Sequence, residues 1–228
     1  MSGLIKVRLE LPGRDVPGIR DEEPKSSLTQ IDFAEEQNRA DFYALLARLF
    51  YAAPDDKLLQ AIVISPEPVA GRDDSPLVET WRDLAAAASA VTQEALVDEY
   101  QQLFIGVGRS DVMLFGSYYL AGFMNEKPLA QLRDDLAALG LARSEHATES
   151  EDHLAALCDV LRFLISGDME TQPASVAQQK AFFSRHMQPW VLQFCQAVMQ
   201  SEKANFYKRA AAFAEAFFVI EIEAFDIE

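Results

Sequence analysis

Within the run Glu149-Ser150-Glu151-Asp152-His153-Leu154, three carboxylates and one imidazole stand within five positions of one another at the head of an apolar stretch. Ionised carboxylates accept short, charge-assisted hydrogen bonds from guanidinium groups, so the chemistry on offer is the grip of a basic peptide. Glu149, Glu151 and Asp152 also have a simpler explanation. Acids in the first turn of a helix face the positive end of its dipole, a stabilisation of about 0.3–1 kcal/mol each. That does not cover His153, whose protonation is disfavoured at a helix N-terminus unless carboxylates hold the proton. Upstream, the aromatic run Phe115, Tyr118, Tyr119 and Phe123 either lines a groove or covers the core.

The equipment of an enzyme is missing. The chain has no phosphate-binding loop of the Walker kind, no Gly-x-Gly-x-x-Gly, no His-Glu-x-x-His and no Cys-x-x-Cys. A helical di-metal site needs Glu-x-x-His pairs, whereas the residues three before His146, His153 and His186 are Arg143, Ser150 and Phe183. Cys158 and Cys195 each lie in an apolar helical stretch, where a thiol is inert. No catalysis, metal or cofactor of the protein's own is expected.

Composition bounds the partners. The 228 residues carry 20 Lys and Arg against 36 Asp and Glu, a formal charge of −16, which repels phosphate backbones and attracts cationic segments. Nucleic acid is thereby an unfavoured partner, although an excess of acids also serves solubility alone. With half its residues hydrophobic, the chain can bury a sizeable core. Two cysteines make no disulfide framework and suit a reducing compartment. The N-terminus lacks the apolar core of a signal peptide, and no window reaches the roughly 18 apolar residues of a membrane span. A soluble, cytoplasmic protein with no integral membrane segment is expected.

The elements that must position the acidic run are helical. Residues 1–30 hold Pro12, Gly13, Pro17, Gly18 and Pro24 without a sustained period and read as a flexible leader. Asp32 and Glu35 resemble a capping box opening a helix that carries Phe42, Leu45, Leu46, Leu49 and Phe50 as far as Tyr51. Further helices are expected over 55–64; from Ser75-Pro76 to Ala90; from Thr92 to Gly106; and from Pro128 to Gly140. Four more follow: from Ser150 to Gly167, over 174–187, over 189–200, and over 204–225 with Phe206, Phe213, Phe217 and Ile220 inward. Residues 107–126 are irregular. Only Ile5 to Leu11 alternates like a strand, so the class is all-α with about nine helices. The polar loop 142–149 is the natural hinge between an N-terminal lobe, 31–141, and a C-terminal lobe, 150–228. Helices joined by a hinge can exchange between subunits, leaving a monomer or a domain-swapped dimer.

Several short runs, taken in order, resemble the TorD family of cytoplasmic chaperones, the redox enzyme maturation proteins. They are Tyr100-Gln101-Gln102-Leu103-Phe104-Ile105-Gly106, Gly116-Ser117-Tyr118-Tyr119, Glu126-Lys127-Pro128-Leu129 and Glu149-Ser150-Glu151-Asp152-His153. Phe182-Phe183-Ser184-Arg185-His186, Pro189-Trp190 and Phe206-Tyr207 extend the resemblance to about residues 32–225. Ser150 stands where the family's Glu-Pro-Glu-Asp-His pattern has proline. Leu114-Phe115-Gly116-Ser117-Tyr118-Tyr119 replaces the Pro-Tyr-Gly-Ser-Tyr-Tyr of a branch that resembles chaperones accompanying formate dehydrogenases.

The resemblance implies an all-helical, non-catalytic chaperone for a molybdenum- or tungsten-cofactor oxidoreductase. Its partners would be the client's apo form and that client's basic N-terminal leader of the twin-arginine type, held until the cofactor is inserted. It further implies leader contacts by Glu149, Glu151, Asp152, His153, Ser117, Tyr118 and Tyr119. Tyr100, Leu103, Phe104, Gly106, Pro128, His186 and Trp190 are expected to be structural. The rival reading is an all-helical ligand-sensing regulator; such proteins carry a basic helix-turn-helix, and residues 1–60 show none.

Overall fold

Asp55, Ser75 and Thr92 begin helices as their side chains predict, accepting from the backbone N–H of Leu58, Val78 and Ala95. Each answers a donor that no carbonyl of its own helix can reach. The computed structural model describes residues 27–68, 75–106, 110–123, 127–144, 147–169 and 171–227. Among these residues there are ten α-helices: α1 (Ser27–Tyr51), α2 (Asp56–Ile64), α3 (Pro76–Ala90), α4 (Gln93–Tyr100), α5 (Gly116–Ala121), α6 (Lys127–Ala138), α7 (Leu154–Ser166), α8 (Val176–His186), α9 (Val191–Gln200) and α10 (Phe206–Ile227). A π-helical turn, Gln101–Ile105, continues α4 and ends at Gly106, whose φ of 59° lies in the left-handed region that favours glycine. The class is all-α. No helix among the described residues is long and apolar enough to cross a membrane.

Four expectations need correction. Helix α1 starts at Ser27, so Asp32 and Glu35 lie within it and residues 27–30 are helical rather than leader. Helix α5 was hidden because six residues are too short to display a period, and it raises the count from nine to ten. Helix α7 begins at Leu154 with His153 as its N-cap, so Glu149 to Asp152 form the approach to the helix and not its first turn. In α10, Phe206, Phe213 and Phe217 face inward, but Ile220 is 40 % exposed. The buried stripe is centred instead on Glu221, a charged residue that an apolar pattern passes over. Residues 1–26, Gly71, Gly108, Glu126 and His146 lie outside the described residues.

Helix α1 packs along α7, while α10 lies against α3, α4 and α9. Phe50, Phe104, Phe194 and Tyr207 meet at ring-centroid distances of 5.0–6.5 Å, mostly edge to face. The buried residues on both sides of 142–149 form one cluster. Any separation of lobes at that loop has to open this shared core.

The core is also tied by polar groups. The hydroxyls of Tyr100 and Tyr207 donate to the carbonyls of Tyr51 (2.7 Å) and Leu49 (3.1 Å), filling the orphan acceptors at the end of α1. Glu99 does the converse for α10. Its carboxylate accepts from the backbone N–H of Asn205, Phe206 and Tyr207 at 2.7, 3.1 and 2.8 Å. Of the residues expected to be structural, Tyr100, Leu103, Phe104, His186 and Trp190 are buried, and Pro128 sits in the first turn of α6.

Candidate functional site

Two of the sequence runs meet. Leu154 N–H donates to Leu114 carbonyl (2.8 Å) and Gly116 N–H to Asp152 carbonyl (2.9 Å), which sets Phe115 and His153 opposite each other in a single antiparallel bridge. The aromatic run and the acidic run thus form one joint at the heads of α5 and α7, although about 35 residues separate them along the chain.

Asp152 locks that joint. It is 4 % exposed; its Oδ2 accepts from Ser117 N–H at 2.9 Å and its Oδ1 from the Ser150 hydroxyl at 2.5 Å. His153, 2 % exposed, accepts from Ala155 N–H through Nδ1 at 3.1 Å and lies edge to face with Phe115 at 5.1 Å. Burial pulls its pKa from 6.5 down to about 4 against the opposing pull of Asp152, so the ring is neutral at pH 7. Ser117 is buried and its hydroxyl meets no hydrogen-bond partner among the described residues. The side chains of Asp152 and His153 therefore bond backbone N–H groups at the joint, and all three residues are buried there.

The remaining expected residues lie further out. Burial would raise the Glu151 carboxyl, but a hydrogen bond from Arg133 (2.9 Å) and the charges of Arg133 and Arg143 hold it below its ordinary value. Arg143 Nε stands 3.9 Å from the other carboxylate oxygen of Glu151. Glu149 is half-buried, its backbone carbonyl accepting from Arg143 at 3.2 Å. Tyr118 is half-buried and meets Tyr119 edge-on at 5.3 Å. Tyr119 donates to Met113 carbonyl (2.9 Å) and stacks on Trp190 (5.3 Å, 18°), and burial pushes its phenol pKa up.

Beside the joint, Leu136 and Leu141, with Ala156 and Val160 of α7, floor a small cleft that opens to solvent. Arg143, Glu149 and Glu151 stand at its rim. Motif reading missed the two arginines, though cations so close to the acids in so acidic a chain were a usable signal. Behind the joint stand His186 and Trp190, two of the residues expected to be structural, with Asp135, which motif reading did not single out. Trp190 Nε1 donates to His186 carbonyl at 2.7 Å, and His186 Nε2 lies 2.8 Å from Asp135, which Arg185 also pairs.

Two predictions arise from this geometry. A Cβ on Gly116 would sit 3.0–3.3 Å from the Trp190 indole, whose N–H is already bound, so Gly116→Ala is expected to cost about 1–3 kcal/mol. An unchanged thermal midpoint would remove the close approach from the account. The second concerns acid. Between pH 6.5 and about 4 the unfolded chain protonates at His153 and the folded chain does not, so its contribution is whole above pH 6.5 and shrinks as pH falls toward 4. The loss is on the order of 3 kcal/mol. His153→Asn retains a capping acceptor and should flatten the urea midpoint against pH in that window; a slope as steep as before would assign the effect elsewhere.

Residues 71–196 match the family model described as nitrate reductase delta subunit. The chain is 28 % identical over 198 residues to the chaperone protein TorD of Vibrio cholerae serotype O1, covering 83 % of this chain and 84 % of TorD. It is 27 % identical over 174 residues to DmsD of Haemophilus influenzae, described as a Tat proofreading chaperone, covering 73 % of this chain and 81 % of DmsD. A crystal structure of a candidate redox enzyme maturation protein from Archaeoglobus fulgidus shares the fold with a TM-score of 0.52, over 81 % of this chain and 93 % of that one, at 20 % identity. The span matched by the family model takes in both runs of the joint and the Trp190 that backs it, over more than half of the sequence. The chain belongs to the nitrate reductase delta subunit family.

Proposed function

We propose that this protein is a cytoplasmic, non-catalytic maturation chaperone, which holds the basic N-terminal leader and the apo form of a molybdenum- or tungsten-cofactor oxidoreductase until the cofactor is in place. The names of its relatives TorD and DmsD support the class of activity. The observation that carries the reading here is the cleft: an apolar floor of Leu136, Leu141, Ala156 and Val160 with Glu149 and Glu151 at its edge. A leader that joins arginines to an apolar helical segment offers the complementary pair of features. Asp152, His153 and Ser117 keep the joint closed beneath the cleft and act on the leader by positioning. Glu149, Glu151 and Tyr118 make the contacts. A formate dehydrogenase is the first client to test, since Gly116-Ser117-Tyr118-Tyr119 resembles that branch.

The test is fluorescence anisotropy with a labelled peptide carrying an Arg-Arg pair ahead of an apolar stretch. Binding is expected to weaken about ten-fold when Glu149→Gln and Glu151→Gln are combined, with a shallower salt dependence. A Gln-Gln peptide that binds as tightly as the Arg-Arg peptide at low salt would sink the reading.

A further inference from the structure

We infer that Arg143 is a built-in occupant of the acidic rim, which an incoming guanidinium must displace. The inference rests on the function proposed above and concerns regulation of the same cleft. Three contacts place Arg143 there. Its Nε lies 3.9 Å from Glu151 Oε1, and its Nη1 donates to the carbonyls of Glu149 (3.2 Å) and Ala147 (3.4 Å). These acceptors sit where the chain comes out of the 142–149 loop toward α7, so the guanidinium bridges the two sides of that loop beside the cleft, which Arg143, Ala147, Glu149 and Glu151 all line.

Arg143 is suited to leave. Its ion pair is long, and its hydrogen bonds, at 3.4 and 3.2 Å, lie at or beyond the usual distance limit. An exposed pair of this kind contributes little. Arg133, although 53 % exposed, differs in distance: from α6 it approaches the other oxygen of Glu151 at 2.9 Å. Glu151 thus keeps one cation while exchanging the second. The exchange trades one guanidinium for another of the same chemistry. A leader without arginine has nothing to trade, and that is how the device would reject neutral apolar peptides entering an apolar cleft.

The experiment compares the full-length protein with Arg143→Gln and with Lys57→Gln, an exposed cation removed from α2 as a control for net charge. The probe is again the Arg-Arg peptide, alongside its Gln-Gln counterpart. Arg143→Gln is expected to bind the Arg-Arg peptide about three- to ten-fold more tightly than the parent, with a steeper salt dependence, while Lys57→Gln changes affinity less than about two-fold. Equal or weaker binding by Arg143→Gln, with the parent still preferring Arg-Arg, would overturn the exchange and leave the proposed function standing. An equal gain in both variants would overturn it as well, since net charge alone would then explain the effect. If neither parent nor variant distinguishes Arg-Arg from Gln-Gln, the leader-binding reading itself falls. Circular dichroism on each variant confirms the helical fold.

Discussion

Glu221→Ala is expected to cost about 3–5 kcal/mol, read as a fall in the urea midpoint at an unchanged m-value. Glu221 is 1 % exposed at the centre of the inner face of α10. Arg39 of α1 grips it with two donors, Nε at 2.8 Å and Nη2 at 2.9 Å, and the Tyr43 hydroxyl donates to Oε2 at 2.9 Å. The same guanidinium lies over the Phe225 ring at 5.3 Å. Removing the carboxylate strands the fully buried Tyr43 hydroxyl and leaves the largely buried Arg39 with only Glu36 (2.7 Å) and Gln179 (3.3 Å) as partners, and the penalty for groups so stripped exceeds what the pair contributes when intact. Two further variants separate these terms. Glu221→Gln keeps acceptors and should lose less. Arg39→Met combined with Glu221→Leu removes both charges and should recover much of the loss, unless the pair is worth more than its desolvation. A loss below about 1 kcal/mol for Glu221→Ala would mean water already reaches the pair.

Glu99→Ala is expected to have an effect of similar size, about 3–5 kcal/mol, by a different route. Its carboxylate is the acceptor for three successive N–H groups at the start of α10, two of them on the buried residues Phe206 and Tyr207. Each buried donor left without an acceptor costs about 1–3 kcal/mol, and the favourable meeting of an anion with a helix N-terminus is lost as well. Glu99→Gln should retain the contacts in part and cost about half as much. Native-state hydrogen exchange at Phe206 and Tyr207 provides a local readout, with protection falling in step with global stability. Protection that survives Glu99→Ala would show that another acceptor holds these amides.

Helices that announce themselves through local physics were legible in the sequence. Ser75-Pro76, Asp55 and Thr92 cap where their side chains say they should, and the leucine stripe of α6 and the apolar run of α7 are buried as spaced. Tertiary dependence hid the rest. Glu221 and Glu99 read as surface acids because burial of a carboxylate is decided by partners 182 and about 106 positions away. Helix α5 is shorter than any detectable period and is held by the Asp152 side chain from across the joint. In the candidate site the runs were found but their duties were blurred. Spacing brought Asp152, His153 and Ser117 to notice, whereas only three-dimensional placement separates these buried residues from Glu149 and Glu151 at the edge of the cleft and from the half-buried Tyr118.

The backbone bonds between Leu114 and Leu154 and between Gly116 and Asp152 have a consequence for how the chain can vary in length. They pinch residues 115–153 into a closed excursion whose neck is held independently of the path taken between its ends. Closing a longer excursion costs only about 0.6 kcal/mol for each doubling. Insertions between α5 and α6, or between α6 and the neck, would therefore be absorbed there without reaching the register of α1 against α7.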